Sequence, residues 1–219
     1  MRTAEYLLND LKPLDTEVSV GDTLEMMDEL KLTHLPVVHE GRYVGLVCDE
    51  DFQDLNQSDS KIDRHLQMLK PYQIGVEDHL YNAVALMGEG HLSLLPVTDE
   101  QERYLGYLSP LELIQDWGHQ LTFREPGSLV VLRIPVRDYH LSQLAQIVES
   151  EDGRVVGLQM TSDGLDQLRL FLKVNLLDCS NLIKNLERFD YEVVEVYHKS
   201  LFDDSASDRY EALMRYLNF

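Results

Sequence analysis

THLPVVHEGRYVGLV (33–47) and SLLPVTDEQERYLGYL (93–108) decide the fold. Each runs through an apolar residue, Pro-Val, an acidic turn, Arg-Tyr, an apolar residue, Gly and a further apolar residue. Self-similarity on this scale marks a structural repeat, and missing it would misassign the whole fold. The apolar runs beside HEGR (39–42) and DEQER (99–103) read as strands joined by polar hairpin turns. Pro36 and Pro96 fall at strand starts, where a missing N–H does least harm. Upstream, VGDTLEMMDEL (20–30) aligns with VEDHLYNAVALM (76–87). A helical apolar pattern follows Asp22 and Asp78, which places both as N-caps. On this alignment Leu24 to Pro36 spans 12 residues and Leu80 to Pro96 spans 16. The first copy is therefore expected to have lost about one helical turn. Further helices begin near Asp49 and Pro110, the second with proline at a first helical position. Each copy reads strand, helix, strand, turn, strand, helix.

The second half has a different pattern. FREPGS (123–128) breaks a helix that ends in HQLTF and serves as a linker. LVVLRIPV (129–136) then reads as a strand, and Leu141, Leu144, Ala145 and Val148 recur at helical spacing. Val156, Leu158 and Met160 alternate, TSDGLD turns, and Leu168, Leu170, Leu172 and Val174 alternate again, a hairpin of half-buried strands. Leu182, Ile183, Leu186 and Phe189 make a second amphipathic helix before the strand YEVVEVY. The order βαββαβ is ferredoxin-like. At the end, Asp208 and Glu211 have capping-box spacing. Tyr210, Leu213, Met214 and Leu217 follow at i, i+3, i+4, i+7, an apolar stripe for its own domain or for a partner.

A tandem repeat with LPV, then Gly-apolar-apolar-x-x-x-acid, resembles a pair of CBS domains. The N-terminal stretch TAEYLLNDL (3–11), read as a helix, fits that family. Followed by βαββαβ, the chain resembles CBS–CBS–ACT proteins of the acetoin-utilisation regulatory type. The fold class is then α+β, a tandem CBS pair of βαββα repeats followed by a ferredoxin-like, ACT-like domain. The pair takes 1–122, with repeat one about 13–60 and repeat two about 66–120. The linker is 123–128, the ACT-like domain 129–199, and a loop and amphipathic helix fill 200–219.

The resemblance also implies a ligand. CBS pairs bind adenine-containing molecules in clefts between the repeats, through Gly-apolar-apolar-Thr/Ser-x-x-Asp. There the hydroxyl meets phosphate or ribose and the Asp accepts from both ribose hydroxyls. An ionised carboxylate, acceptor-only with two oxygens, suits a diol. Laid on this sequence, Asp51 takes the ribose position and Cys48 stands in the hydroxyl's place, where a thiol is a weak donor. His34 falls where a basic or polar residue faces phosphate. In the second copy Ser109 keeps the hydroxyl, Glu112 replaces Asp and Leu94 replaces the basic residue. The implied ligands are AMP, ATP with Mg or S-adenosylmethionine. From the residues alone, Asp51 reads first as a capping or solvated acid in DEDFQD, and His34 as a surface histidine at a strand entrance; the resemblance is what raises the binding reading beside them. ACT domains that bind amino acids usually carry a Gly after the first strand. None lies between Pro135 and Leu144, so packing or pairing is the expected role of that domain.

Bulk properties narrow the class. Lys+Arg of 19 against Asp+Glu of 39 leaves a formal charge of −20, which repels nucleic-acid backbones. Cys48 and Cys179 stand far apart, in no metal-ligand spacing. MRTAEYLLNDLK lacks the apolar core of a signal peptide and no run reaches membrane-span length, so a cytoplasmic location is expected. There is no G-x-S-x-G, phosphate-binding Gly loop or H-E-x-x-H. His34 and His39, at odd spacing on one strand, face opposite sides. The expectation is a non-catalytic, homodimeric regulatory protein sensing an adenine-containing ligand. Its alternative is a ligand-free interaction or scaffold module in which the motifs are relics.

Overall fold

The computed structural model describes residues 2–53, 55 and 58–197; the segment 198–219, with its amphipathic stripe, lies outside them. The chain divides into two units, the first running to Asp116 and the second starting at Trp117. In the first unit, one repeat comprises β1 (Leu14–Asp15), α1 (Val20–Leu30), β2 (His34–His39), β3 (Arg42–Cys48) and α2 (Asp49–Gln53). The other comprises β4 (Ile74–Gly75), α3 (Leu80–Gly90), β5 (Leu95–Thr98), β6 (Tyr104–Leu108) and α4 (Pro110–Trp117). The repeats form separate three-stranded sheets, β1-β2-β3 and β4-β5-β6. Their registers correspond: Leu14 pairs with Val37 as Ile74 does with Val97, and Val37 faces Gly45 as Val97 faces Gly106. Pro36 and Pro96 lie just inside their strands. β1 reaches only Val37 and Val38, so no β1 partner is lost at Pro36.

The expected loss of a helical turn is not observed: α1 and α3 each contain 11 residues. Ser19, not Asp22, caps α1. Its Oγ accepts from the Asp22 N–H at 3.1 Å and donates to the Asp22 carboxylate at 2.7 Å. His79 caps α3, its Nδ1 accepting from the Tyr81 N–H at 3.2 Å, while Asp78 accepts from the Gly75 N–H in the preceding turn. With the caps aligned, Val20 to Pro36 and Leu80 to Pro96 both span 16 residues. Aspartate is favoured at a cap, in a first helical turn and in the turn before it, so its presence alone does not set the register. Both helices close alike, on Lys31 (φ 55) and His91 (φ 49) in the left-handed region. The next amides, Leu32 and Leu92, then bond back to Met27 and Met87. Two further expectations are corrected. TAEYLLNDL forms only a short 3₁₀ turn, Thr3–Tyr6. HQLTF does not continue α4 but contributes to a separate short helix, α5 (Leu121–Arg124).

The repeats exchange their leading segments. Thr3 and Ala4 donate to Asp78 and Val76 of the second repeat, and Leu8 exchanges two backbone hydrogen bonds with Tyr107. In the same way Ile62 and Asp63 donate to Val18 and Thr16 of the first repeat, and Lys70 exchanges two with Leu46. Each leading segment crosses over a glycine. A Cβ at Gly45 would lie 2.7 Å from Leu69 Cβ, and one at Gly106 would lie 2.1 Å from the Leu8 carbonyl oxygen. The glycines of the repeated motif are thus places where another backbone passes at contact distance. The hairpin tips also meet, Tyr43 N–H donating to Glu102 and Tyr104 N–H to Gly41. One buried cluster gathers Leu35, Val37, Val47, Phe52 and Ile62. The other holds Ile74, Leu80, Leu94, Leu95 and Leu108 together with Leu46 from the first repeat.

The second unit contains β7 (Ser128–Pro135), α6 (Leu141–Glu149), β8 (Val155–Ser162), β9 (Gln167–Val174), α7 (Ser180–Arg188) and β10 (Glu192–Tyr197). Its antiparallel sheet has the order β10-β7-β9-β8, a ferredoxin-like arrangement. Alternate residues Val130, Leu132 and Ile134 of β7 and Leu170, Leu172 and Val174 of β9 pack with Leu144, Ile147, Leu182 and Leu186 of the helices. α5 belongs to this unit. Thr122 Oγ1 donates to the Val156 carbonyl at 3.4 Å and Arg154 pairs with Glu125, and Gly157 leaves the room that Thr122 occupies. No helix among the described residues is long and apolar enough to cross a membrane.

Glycine substitutions test the crossing. Gly45→Ala should lower unfolding stability by about 1–3 kcal/mol and Gly106→Ala by more, because its obstacle is backbone. Gly88→Ala, in α3 with nothing within 4 Å of the added carbon, should instead be neutral or stabilising by up to about 1 kcal/mol. Denaturant melts of the three variants decide.

Candidate functional site

The antiparallel pairing of β2 and β3 sets His34 opposite Cys48, and the chain turns directly from Cys48 into α2. This helix has five residues, too few to persist alone. Phe52, fully buried, fastens it to the first core and rests edge-on against His65. Asp49 accepts from the Glu50 N–H at 2.8 Å and its own N–H donates to Thr33. Asp51, in the first turn, is thereby left with its carboxylate toward the crossing segment. Lys70 Nζ stands 2.8 Å from Asp51 Oδ2. The hydrogen bond to Asp51 raises the lysine pKa, so Lys70 is a cation across the ordinary pH range.

These groups border a cleft of about 540 Å³ lined by Thr33, His34, Cys48, Asp49, Glu50, Asp51, Lys70, Tyr72, Glu89, Gly90 and His91. One wall is the first turn of α2, another the crossing segment, and the third the C-terminal end of α3 in the second repeat. The cleft therefore lies between the repeats. Tyr72 is held by its own backbone, whose carbonyl accepts from the Tyr43 hydroxyl at 2.7 Å; burial pushes the Tyr43 pKa up and keeps that donor protonated. Gly90 lies against the Tyr72 ring, where an added Cβ would come within 2.9 Å of Tyr72 Cε2.

His34 is 6% exposed. Its Nδ1 accepts from the Ser93 N–H at 3.4 Å and lies 2.9 Å from Thr33 Oγ1, while its own N–H donates to Ser93 Oγ at 3.1 Å. A backbone donor on Nδ1 selects the tautomer with the proton on Nε2. Burial pushes the His34 pKa below its ordinary value, against the opposing pull of Asp49, Glu50 and Asp51. At neutral pH the ring is therefore an uncharged N–H donor rather than a cation. Burial likewise raises the Cys48 pKa, and its Sγ lies 4.0 Å from Asp49 Oδ1.

The structure brings His34, Cys48 and Asp51 together; Ser109 and Glu112 do not join them. They occupy the corresponding place on the second repeat, where Ser109 Oγ accepts from the Leu111 N–H at 3.2 Å as a helix cap and Glu112 is exposed on α4. Leu94 is fully buried there, and Leu8 pairs with Tyr107 as Lys70 pairs with Leu46. Acids dominate the surroundings. Tyr6 donates to Asp116 at 2.7 Å and Tyr107 to Asp10 at 2.9 Å. The first bond, and burial with the second, push both phenols up to about 12. Sequence reasoning did not find Lys70, Tyr72 or the end of α3. The repeat pattern is silent on residues 61–73, and only the crossing delivers them. Among the described residues no group of three or more His, Cys, Asp or Glu is arranged to hold a metal ion.

The CBS domain family model matches residues 4–55, which are the first repeat with the leading segment that crosses to the second. An uncharacterised protein of Methanocaldococcus jannaschii is 21% identical over 207 residues, covering 92% of this chain and 76% of that protein. The inosine-5'-monophosphate dehydrogenase of the same organism is 20% identical over 149 residues, 67% of this chain but 30% of the dehydrogenase. A solved CBS domain pair/ACT domain protein of Thermotoga maritima is 24% identical, covering 53% of this chain and 96% of that one with a TM-score of 0.48. With one repeat matched by the family model and the other built on the same elements and register, the first unit has the fold of a CBS domain pair.

His34 provides a check by NMR: its ring should titrate below 6.5 in the folded protein. An unfolded histidine binds its proton first as pH falls. Stability from the neutral ring is therefore present above about 6.5 and is lost as pH falls from there through the lower folded pKa. A midpoint at or above the ordinary value would contradict the buried, neutral assignment.

Proposed function

We propose that the protein is a non-catalytic regulatory sensor that binds an adenine-containing ligand in the cleft between its two repeats. The observation that carries this reading is the convergence of His34 and Asp51 of the first repeat with Lys70 and Tyr72 of the crossing segment on one cleft, closed by the end of α3 in the second repeat. Its volume falls within the range of small-molecule sites. Asp51 accepts from the ribose diol, the Nε2–H of His34 donates, and the Tyr72 ring offers an apolar face for a base. Because Asp51 is paired with Lys70 in this state, a diol has to compete with the ammonium group. Ligand binding therefore perturbs the segment that joins the repeats. The ligand shifts the equilibrium between two packings only by its difference in affinity for them. The same pairing, with Ser109 serving as a cap, favours a second reading, a ligand-free interaction module with relic motifs.

Thermal melting with AMP, ATP with Mg, and S-adenosylmethionine distinguishes the two. A ligand at roughly 100 times its Kd adds about 2.7 kcal/mol, and Asp51→Ala should abolish the shift. A midpoint unmoved by all three leaves the interaction module as the function.

We assign the second unit an ACT-like role in packing or pairing, within a cytoplasmic homodimer. Among the described residues β8 has no strand on its outer side and Met160 on it is 51% exposed, a template for a second copy. Sedimentation should give a dimer, and a charge on this edge strand, Met160→Lys, should weaken it.

A further inference from the structure

The walls of the cleft carry four carboxylates, Asp49, Glu50, Asp51 and Glu89, against the single ammonium of Lys70. That ammonium is already paired with Asp51 at 2.8 Å. His34, the residue in the place of a phosphate-facing base, is buried and accepts a backbone N–H on Nδ1, so it supplies a neutral donor instead of a positive charge. Glu50, Glu89 and His91 are exposed at the mouth, and a protein of net charge −20 stands behind them. A polyphosphate entering here meets uncompensated negative charge at short range, whereas a cationic group meets partners.

From this we infer that the cleft selects its ligand by charge, taking a nucleoside that is neutral or carries a positive group, such as a sulfonium nucleoside, in preference to a nucleoside phosphate. The inference rests on the proposed nucleoside site and adds the ligand class. Asp51 holds the ribose. Glu50 and Glu89, on opposite walls, face the substituent on the sugar and set its sign. Mouth charges are screened by salt, so the preference is strongest at low ionic strength.

Calorimetric titration of the full chain with adenosine, S-adenosylmethionine, AMP and ATP tests this, at low and high salt and without added Mg. Adenosine and S-adenosylmethionine should bind, with ATP weaker by about tenfold or more, as expected for several like charges at short range. High salt should narrow the gap. The double substitution Glu50→Gln with Glu89→Gln should reduce the preference for S-adenosylmethionine over ATP by several-fold. Circular dichroism confirms that the variant is folded, which its exposed positions favour. Tighter binding of AMP or ATP than of adenosine overturns the charge selection and leaves the nucleoside site standing, as does a ratio unmoved by the double substitution. Binding of none of the four overturns both.

Discussion

The exchange of leading segments is the constraint on which the first unit depends. Each repeat has only three strands, the first of them two residues long, and so cannot by itself cover the open side of its third strand. Residues 2–8 and 61–70 supply the missing backbone partners, each to the repeat that does not follow it directly. Leu8 with Tyr107 and Lys70 with Leu46 are the same interaction made twice. Unsatisfied buried backbone groups are costly, which is why this pairing and the glycines beneath it are inseparable. A Cβ at Gly45 or Gly106 would force the crossing segment to shift away from the strand it pairs with, at a cost to that pairing.

The cleft is a consequence of that crossing. Asp51 sits on a five-residue helix whose only buried side chain is Phe52, so its placement follows from core packing rather than helix propensity. The crossing segment then brings Lys70 against it and Tyr72 beside it, and the second repeat contributes the left-handed end of α3. Anything that changes the ion pair between Asp51 and Lys70 bears on the hydrogen bonds of Lys70 to Leu46, one residue-length away. The ion pair and the joint between the repeats are therefore linked through one residue, Lys70.

The two copies diverge where chemistry is concerned and agree where packing is. Val37 and Val97, Met27 and Met87, and Gly45 and Gly106 hold corresponding positions, each paired or packed with the corresponding segment of its copy. His34 against Leu94, Asp51 against Glu112 and Lys70 against Leu8 are not. The second place holds a helix cap and tyrosines bonded to Asp10 and Asp116, an acidic surface with no lysine in the position of Lys70.

By itself the sequence determined what depends on near neighbours along the chain: two βαββα copies, the hairpins at HEGR and DEQER, and the alternation that makes β7, β8 and β9 strands of a ferredoxin-like sheet. Such patterns are written in side-chain periodicity, which reports burial without reference to distant partners. It also brought His34, Cys48 and Asp51 into view. Which serine or aspartate caps a helix was not legible, since Ser19, Asp22, His79 and Asp78 lie within a few residues of each helix start and compete on equal terms. Only the tertiary structure decided that Lys70 and Tyr72 complete the cleft, that His34 is neutral and that Ser109 is a cap. Those roles are fixed by groups far away in sequence, and a residue's charge and hydrogen bonding belong to its neighbours as much as to itself.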